Sequence, residues 1–247
     1  MFDEEKMIYL PSVGSTNQWA KENLTRFDPV GVVWTTCQTQ GRGRLGRTWS
    51  NAAGQALYYT VAFHRPMVQP STLPLFASLA ISQALQDKFG ADTRIQIKWP
   101  NDLLLNGKKV AGILCESVNG TYICGVGINL NQPQKFFDEA GLPYGTSFGL
   151  QGFAVNEVSA AMKLALRLTR RLTGEAFEKF AQEGLAPFLE DYRSHCVNLG
   201  RHVTFDGGEG VAETVDGEGR LVVRTGDGKA SVLSGEVHVE GIYGVVS

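Results

Sequence analysis

An asparagine–glycine pair, Asn106-Gly107, separates two apolar runs, Leu103–Leu105 and Val110–Cys115. Glycine has no Cβ and asparagine tolerates a left-handed backbone, so this dipeptide suits both central positions of a tight hairpin. It commits the middle of the chain to antiparallel strands. Further β-branched and aromatic runs, Val30–Thr36, Leu57–Phe63, Ile95–Trp99 and Tyr122–Ile128, also read as strands. Between them, Leu75, Phe76, Leu79, Ala80 and Ala84 recur at helical spacing and predict an amphipathic helix over 72–89. Ser15 or Thr16 is placed to cap a short helix carrying Trp19, Ala20 and Leu24 on its apolar face. Two later helices are expected. One uses Val158, Met162, Ala165 and Leu172 before a Gly174 stop; the other runs from about Phe177 to Tyr192, broken near Gly184 and Pro187.

From about Cys196 the pattern changes. Val203, Val211, Leu221–Val223, Val232–Leu233 and Val237–Val239 fall in short strands separated by Asp-Gly and Gly-Gly turns, as in a small barrel. The expected architecture is α+β: a mixed β-sheet with flanking helices over 1–195, then a small SH3-like β-barrel over 196–247.

Composition narrows the function classes. A chain of 247 residues, 43% hydrophobic and 19% charged, is ordinary for a globular enzyme and large enough to need no disulfide staples. Its four cysteines, Cys37, Cys115, Cys124 and Cys196, form no Cys-x-x-Cys pair and have no histidine at metal spacing, so reduced thiols in the cytoplasm are expected. The first residues are acidic where a secretory signal is basic, and no apolar run approaches a membrane span. A net charge of −2 argues against general attraction to nucleic acid.

Two segments carry chemistry. In Gly41-Arg42-Gly43-Arg44-Leu45-Gly46-Arg47-Thr48-Trp49, three glycines and three arginines fall within seven residues and an aromatic follows. Glycine lets backbone approach a ligand closely, and arginine supplies permanent charge on a forked donor suited to carboxylate or phosphate. The second segment is Lys98-Trp99-Pro100-Asn101-Asp102, followed by Lys109-Val110-Ala111-Gly112. There is no Walker A motif, and Leu130 stands where a dinucleotide fingerprint would need its third glycine.

In this order and spacing the two segments resemble those of the biotin protein ligases. The resemblance extends to Ser15-Thr16-Asn17, to Gly125-Val126-Gly127-Ile128-Asn129, to Gly184–Leu189 and to the β-rich tail, and so covers nearly the whole chain. It implies a ligase that activates biotin with ATP as biotinyl-5′-AMP and passes it to a lysine of a biotin carboxyl carrier protein or domain, such as that of acetyl-CoA carboxylase. Few residues precede Ser15, so the form expected lacks the N-terminal DNA-binding domain of some relatives, and no DNA partner is expected. A homodimer is compatible with the resemblance. Mg²⁺ would be held by the nucleotide, so no metal-ligand motif is expected.

Roles follow residue by residue from the same resemblance. Lys109 contacts the biotin carboxylate and the α-phosphate, Asp102 receives the acceptor lysine, and Arg44 completes the catalytic set. Ser15, Thr16, Asn17 and Gln38 read the ureido ring. Gly41, Arg42, Gly43, Trp49 and Gly112 enclose biotin, with Arg44 and Lys109. The loop amides from Gly41 to Gly43 are candidates for an anion nest. Arg42, Arg44, Arg47, Asn101, Lys109, Gly125, Gly127 and Asn129 serve ATP, and Tyr144 or Phe148 is a candidate to stack on adenine.

Plainer readings stand beside these. Lys109 can be a strand-end charge, Asp102 an Asx turn, Ser15-Thr16 a helix cap and Trp49 core. A lipoate or octanoate ligase shares the fold but would leave Ser15 and Gln38 unpaired. A biotin sensor without ligase activity, or a nucleic-acid-binding module, is the alternative from another class.

Overall fold

The computed structural model describes residues 2–50, 52–90, 93–153 and 158–242. In chain order the first part comprises β1 (Ile8–Tyr9), α1 (Thr16–Glu22), β2 (Val30–Thr35), β3 (Gly41–Arg42), β4 (Thr48–Trp49), β5 (Ala56–Phe63) and α2 (Leu73–Phe89). Then come β6 (Ile95–Lys98), β7 (Asp102–Leu105), β8 (Lys108–Val118), β9 (Thr121–Asn129), α3 (Gln134–Glu139), α4 (Val158–Thr173), α5 (Glu175–Glu183) and α6 (Leu189–His195). The last part is all strand: β10 (His202–Phe205), β11 (Gly208–Val215), β12 (Leu221–Thr225), β13 (Gly228–Val232) and β14 (Val237–Val239).

Asn106 and Gly107 adopt φ of 51° and 75°, the two left-handed positions expected of them, and turn β7 into β8. They sit near one edge of a seven-stranded sheet ordered β1-β2-β5-β9-β8-β7-β6. β1 runs parallel to β2 and the remaining ladders are antiparallel.

Side chains alternate across a strand, so register assigns each residue to a face. Val32, Trp34, Val61, Phe63, Cys124 and Val126 join the large core beneath α2, α4 and α5. Their neighbours Val33, Ala62 and Ile123 form a smaller cluster on the opposite face with Ala20 of α1. Helix α1 has only seven residues, so it covers one end of that second face. The uncovered remainder carries glycines and polar residues, and there the cavity forms.

The tail folds into a five-stranded antiparallel sheet ordered β13-β12-β11-β10-β14. Its last strand returns to pair with its first, as in an SH3-like barrel. Val203, Ala212, Leu221 and Val223 belong to the same hydrophobic cluster as the main sheet, so one core runs through both. Buried Trp99 joins the two parts: its backbone N–H donates to Asn198 Oδ1 at 2.8 Å and its indole Nε1 donates to the Gly219 carbonyl at 3.0 Å.

Three apolar expectations are corrected. Met162 is 45% exposed, because α4 turns Ala161, Leu164, Ala165, Leu168 and Leu172 inward instead. Leu233 lies just beyond β13 and is 70% exposed. Leu24 follows α1 in a separate 3₁₀ turn rather than in the helix, although it packs on the Ala20 cluster as expected.

Replacing Trp99 by Phe removes a buried donor and orphans the Gly219 carbonyl, a loss of roughly 1–3 kcal/mol. In a chain of this length that corresponds to a thermal midpoint lower by about 2–12 °C. An unchanged midpoint in a calorimetric scan would show that this contact does not hold the two sheets together.

Candidate active site

A cavity of about 500 Å³ opens on the face of the main sheet that α1 leaves bare. Strand register explains its floor. Lys98 pairs with Asp102, Asp102 with Gly112, Gly112 with Gly127, and Gly127 with Tyr58, so these five form one row across five strands. Charges stand at one end of the row, a tyrosine at the other and two glycines in the middle. A Cβ on Gly112 would lie 2.6 Å from the Trp49 ring, and one on Gly127 would lie 2.7 Å from it. The missing side chains are the seat of the indole. In the next row a Cβ on Gly125 would lie 2.1 Å from Asn17 Oδ1, so this glycine admits the Asn17 amide.

The roof is the Arg-Gly loop, a short hairpin of β3 and β4 closed by a 3₁₀ turn. Leu45 at its apex has φ of 54° and is 71% exposed. The Gly43 N–H donates to the Arg47 carbonyl at 2.7 Å, so this amide is spent inside the loop and does not belong to an open anion nest. Arg44 donates to Asn101 Oδ1 at 2.8 Å and to the Gly235 carbonyl at 3.3 Å. Arg47 pairs with Glu236. The loop between β13 and β14 thus holds two of the three arginines; the third, Arg42, donates to Gln18 Oε1 at 3.4 Å.

Lys109 and Asp102 form an ion pair at 2.7 Å, with the ammonium 5.4 Å from the centre of the Trp49 ring. Counted over the lining residues described, Arg42, Arg44, Arg47, Lys98 and Lys109 face only Asp102 and Glu236. The imbalance makes the cavity a receptor for an anion. Burial, reinforced by Lys109 and Arg44 and opposed by Asp102 and Glu236, holds the Lys98 ammonium below the usual lysine range. Burial likewise pushes the Tyr58 phenol up to about 12, which keeps it neutral.

At the α1 end, Ser15 caps the helix by accepting from Gln18 N. Gln38 Oε1 accepts from both the amide and the hydroxyl of Thr16, at 3.0 and 3.2 Å, which leaves the Gln38 amide nitrogen toward the cavity. Asn17 is committed to the protein: Oδ1 accepts from Thr60 Oγ1 at 2.7 Å, and Nδ2 donates to Leu114 O and Glu116 Oε2. Lys21 grips the other Glu116 oxygen at 2.6 Å, so the network pins α1 to the sheet. At the far end, Asn129 donates to Thr146 O at 3.0 Å and accepts from Gln132 Nε2 at 2.9 Å.

The structure gathers every residue singled out from the sequence around this cavity, with two exceptions. Gly41 is buried behind the wall, where a Cβ would meet the Trp49 carbonyl at 2.4 Å. Phe148 is fully buried and stacks on Phe89 at 4.0 Å, so of the two aromatic candidates only Tyr144, 41% exposed, lines the cavity. Sequence reasoning quoted Lys98 in its motif without giving it a role, and it passed over Tyr58 and Glu236. Lys98 had a signal: Ile95 and Ile97 alternate into the core, which turns Lys98 to the other face.

Residues 9–132 match the model of the biotin/lipoate A/B protein ligase family, and residues 199–239 match that of the biotin protein ligase C-terminal domain. The chain is 32% identical to the biotin–[acetyl-CoA-carboxylase] ligase of Paracoccus denitrificans, over 85% of this chain and 92% of that one. It is 28% identical to the bifunctional ligase/repressor BirA of Bacillus subtilis, over 95% of this chain and 74% of the relative. Among solved structures, biotin protein ligase from Aquifex aeolicus in complex with biotin and ATP superposes with a TM-score of 0.76 at 27% identity. That match covers 95% of this chain and 98% of the other.

Lys98 generates a prediction of its own. A lysine whose folded pKa lies below its unfolded one lowers stability while charged, and the deficit fades as pH rises through the folded value. Lys98→Met, close in size and free of the desolvated charge, raises the thermal midpoint at pH 7 by about 2–4 °C. The advantage over the parent shrinks in alkaline buffer. A lower midpoint at pH 7 would show that the Asp102 attraction outweighs burial.

Proposed function

The chain belongs to the biotin/lipoate A/B protein ligase family, and on that premise we propose that it is an ATP-dependent biotin–protein ligase. It activates biotin as biotinyl-5′-AMP and transfers it to a lysine of a biotin carboxyl carrier protein or domain. One observation carries the reading: the Lys109–Asp102 pair lies beside the Trp49 ring in a cavity with an excess of basic side chains.

In the first step a carboxylate oxygen of biotin attacks the α-phosphorus of ATP and pyrophosphate leaves. Two anions must meet, so catalysis is positioning and positive charge rather than a protein nucleophile. Lys109 bridges the carboxylate and the α-phosphate, and Arg44, held by Asn101, flanks them. Arg42 and Arg47 serve the triphosphate. Mg²⁺ would neutralise the phosphates and travel on them; among the described residues no group of three metal-ligating side chains is offered to it.

The acyl-adenylate phosphate then competes with Asp102 for the Lys109 ammonium. Asp102, released, accepts a proton from the incoming carrier lysine. The neutral amine attacks the acyl carbon, the acyl–phosphate C–O bond breaks as the amide forms, and AMP departs with its phosphate taking the nitrogen's second proton. The Arg-Gly loop shields this intermediate from water.

Biotin's bicyclic head fits the α1 end. The Ser15 hydroxyl and the Gln38 amide supply donors and acceptors for its ureido group, Thr16 and Asn17 hold them in place, and Trp49 on Gly112 supplies an apolar wall. Adenosine lies over Gly125 and Gly127 towards Asn129 and Tyr144. Residues 1–195 form the catalytic domain. Residues 196–247, of which 243–247 lie outside those described, form the smaller one, whose loop holds the arginines. No described helix is long and apolar enough to cross a membrane, and with four unpaired thiols the reaction fits the cytoplasm.

ATP–pyrophosphate exchange, measured with biotin, lipoate or octanoate supplied separately, tests the reading. Exchange is expected with biotin alone; exchange with lipoate alone would reassign the substrate. Lys109→Ala lowers the biotin-dependent rate by about 100-fold or more without unfolding the protein. Asp102→Ala slows transfer from supplied biotinyl-5′-AMP to a carrier domain by about 100-fold. Transfer at the parent rate would remove Asp102 from the second step.

A further inference from the structure

Gln132 is fully buried, outside the cavity lining, and unusual among the described residues in its bonding. Its Nε2 donates to Asn129 Oδ1 at 2.9 Å while its own Oε1 is buried without a hydrogen-bond partner. Buried carbonyls are normally satisfied, so an orphan asks for an explanation. The orientation of both amides follows from a group that cannot be reversed. The Thr146 carbonyl only accepts, so Asn129 Nδ2 must face it, as it does at 3.0 Å. Asn129 Oδ1 then faces Gln132, and only Nε2 can meet it. Turning the Gln132 amide over would set two oxygens against each other. A bond from Ser147 Oγ to the Gln132 carbonyl at 2.8 Å fixes the backbone beneath it.

A primary amide carries two N–H hydrogens and two lone pairs. The protein uses one of each on Asn129, and Asn129 lines the cavity. One donor and one acceptor therefore remain, in an order set from behind. Adenine presents a 6-amino donor next to a ring-nitrogen acceptor, which matches an oxygen and an N–H held in that order. Guanine presents a 6-oxo acceptor, which the held oxygen repels.

We propose that Gln132 is a positioning residue for nucleobase choice: by locking the Asn129 amide it makes the site select adenine over guanine. The inference rests on the ligase reading and names a determinant of its nucleotide specificity. The unsatisfied Oε1 is the consequence of pointing Nε2 at Asn129.

The experiment is biotin-dependent pyrophosphate exchange on the full chain, titrating ATP, GTP and biotin for the parent, Gln132→Leu and Gln132→Met. Thermal midpoints check folding, and Gln132→Met, unbranched and close in length to the parent side chain, carries the test if the leucine variant does not fold. Gln132→Leu is expected to raise the KM for ATP about tenfold, to narrow the ATP-over-GTP preference about tenfold and to leave the KM for biotin within about twofold. Gln132→Met, which likewise removes the donor to Asn129 Oδ1, is expected to narrow the preference by a similar factor. Folded variants that keep the parental preference overturn the proposal while the ligase reading stands. Equal losses for ATP, GTP and biotin also overturn it, since they mark a general structural role. Absence of exchange in the parent overturns the ligase reading and this proposal with it.

Discussion

Trp49 can lie flat on the sheet only because Gly112 and Gly127 face each other across β8 and β9. An alanine at either position would drive a methyl group into the indole. This constraint organises the rest of the site. With the ring seated, β4 is anchored and the Arg-Gly hairpin projects over the cavity rather than away from it. Asp102 stands in the same row of strand pairs as these glycines, and it pairs with Lys109, whose ammonium lies over the ring. An aromatic wall, a partly buried ion pair and a basic roof thus depend on two absent side chains.

Electrostatics and packing are in tension here. Several cations share a pocket with two carboxylates, and Lys98 bears the burial cost most visibly. A protein selected for stability alone would fill this space with apolar side chains. The arrangement makes sense when the missing negative charge arrives with a substrate, because desolvated positive charge stabilises a developing or transferred phosphate far more than charge in water.

Much of this was legible in the chain. Asn106-Gly107 marked its hairpin because only certain residues tolerate two successive positive φ values. The helix at Leu73–Phe89 was placed correctly, but it is not amphipathic as expected: Ala77, Ser78, Ile81 and Ser82 are buried along with the apolar stripe, so the helix is enclosed on nearly all sides. The cavity's membership was legible because two unusual motifs resemble those of a known family, and that resemblance also drew in Ser15–Asn17, Gln38 and Gly125–Asn129. Its geometry was not. Strand register decides that Lys98, Asp102, Gly112, Gly127 and Tyr58 form a row, and register depends on pairings remote in sequence. The duties of Asn17 and Asn129 were equally hidden. Both amides are engaged by Thr60, Glu116, Thr146 or Gln132, partners that no local pattern reveals. Met162 was misplaced because it adjoins the apolar stripe of α4 without lying in it.

The small C-terminal sheet is more than an appendage to this chemistry. Its β13–β14 loop carries the Gly235 carbonyl and Glu236, and these reach residues about 190 positions earlier in the chain, Arg44 and Arg47. The two contacts differ in kind. Arg44 is partly buried and also held by Asn101, so its direction is set before any ligand arrives. Arg47 and Glu236 form an exposed pair, worth at most about 1 kcal/mol in water. A phosphate carries more charge than a carboxylate and meets a guanidinium in the same forked geometry. In the ligase reading the exchange of Glu236 for a phosphate oxygen is therefore inexpensive, while Arg44 stays where Asn101 holds it. On that reading, firm placement of Arg44 and a displaceable partner for Arg47 at the rim let one loop admit a polyanion and still present a fixed charge to it.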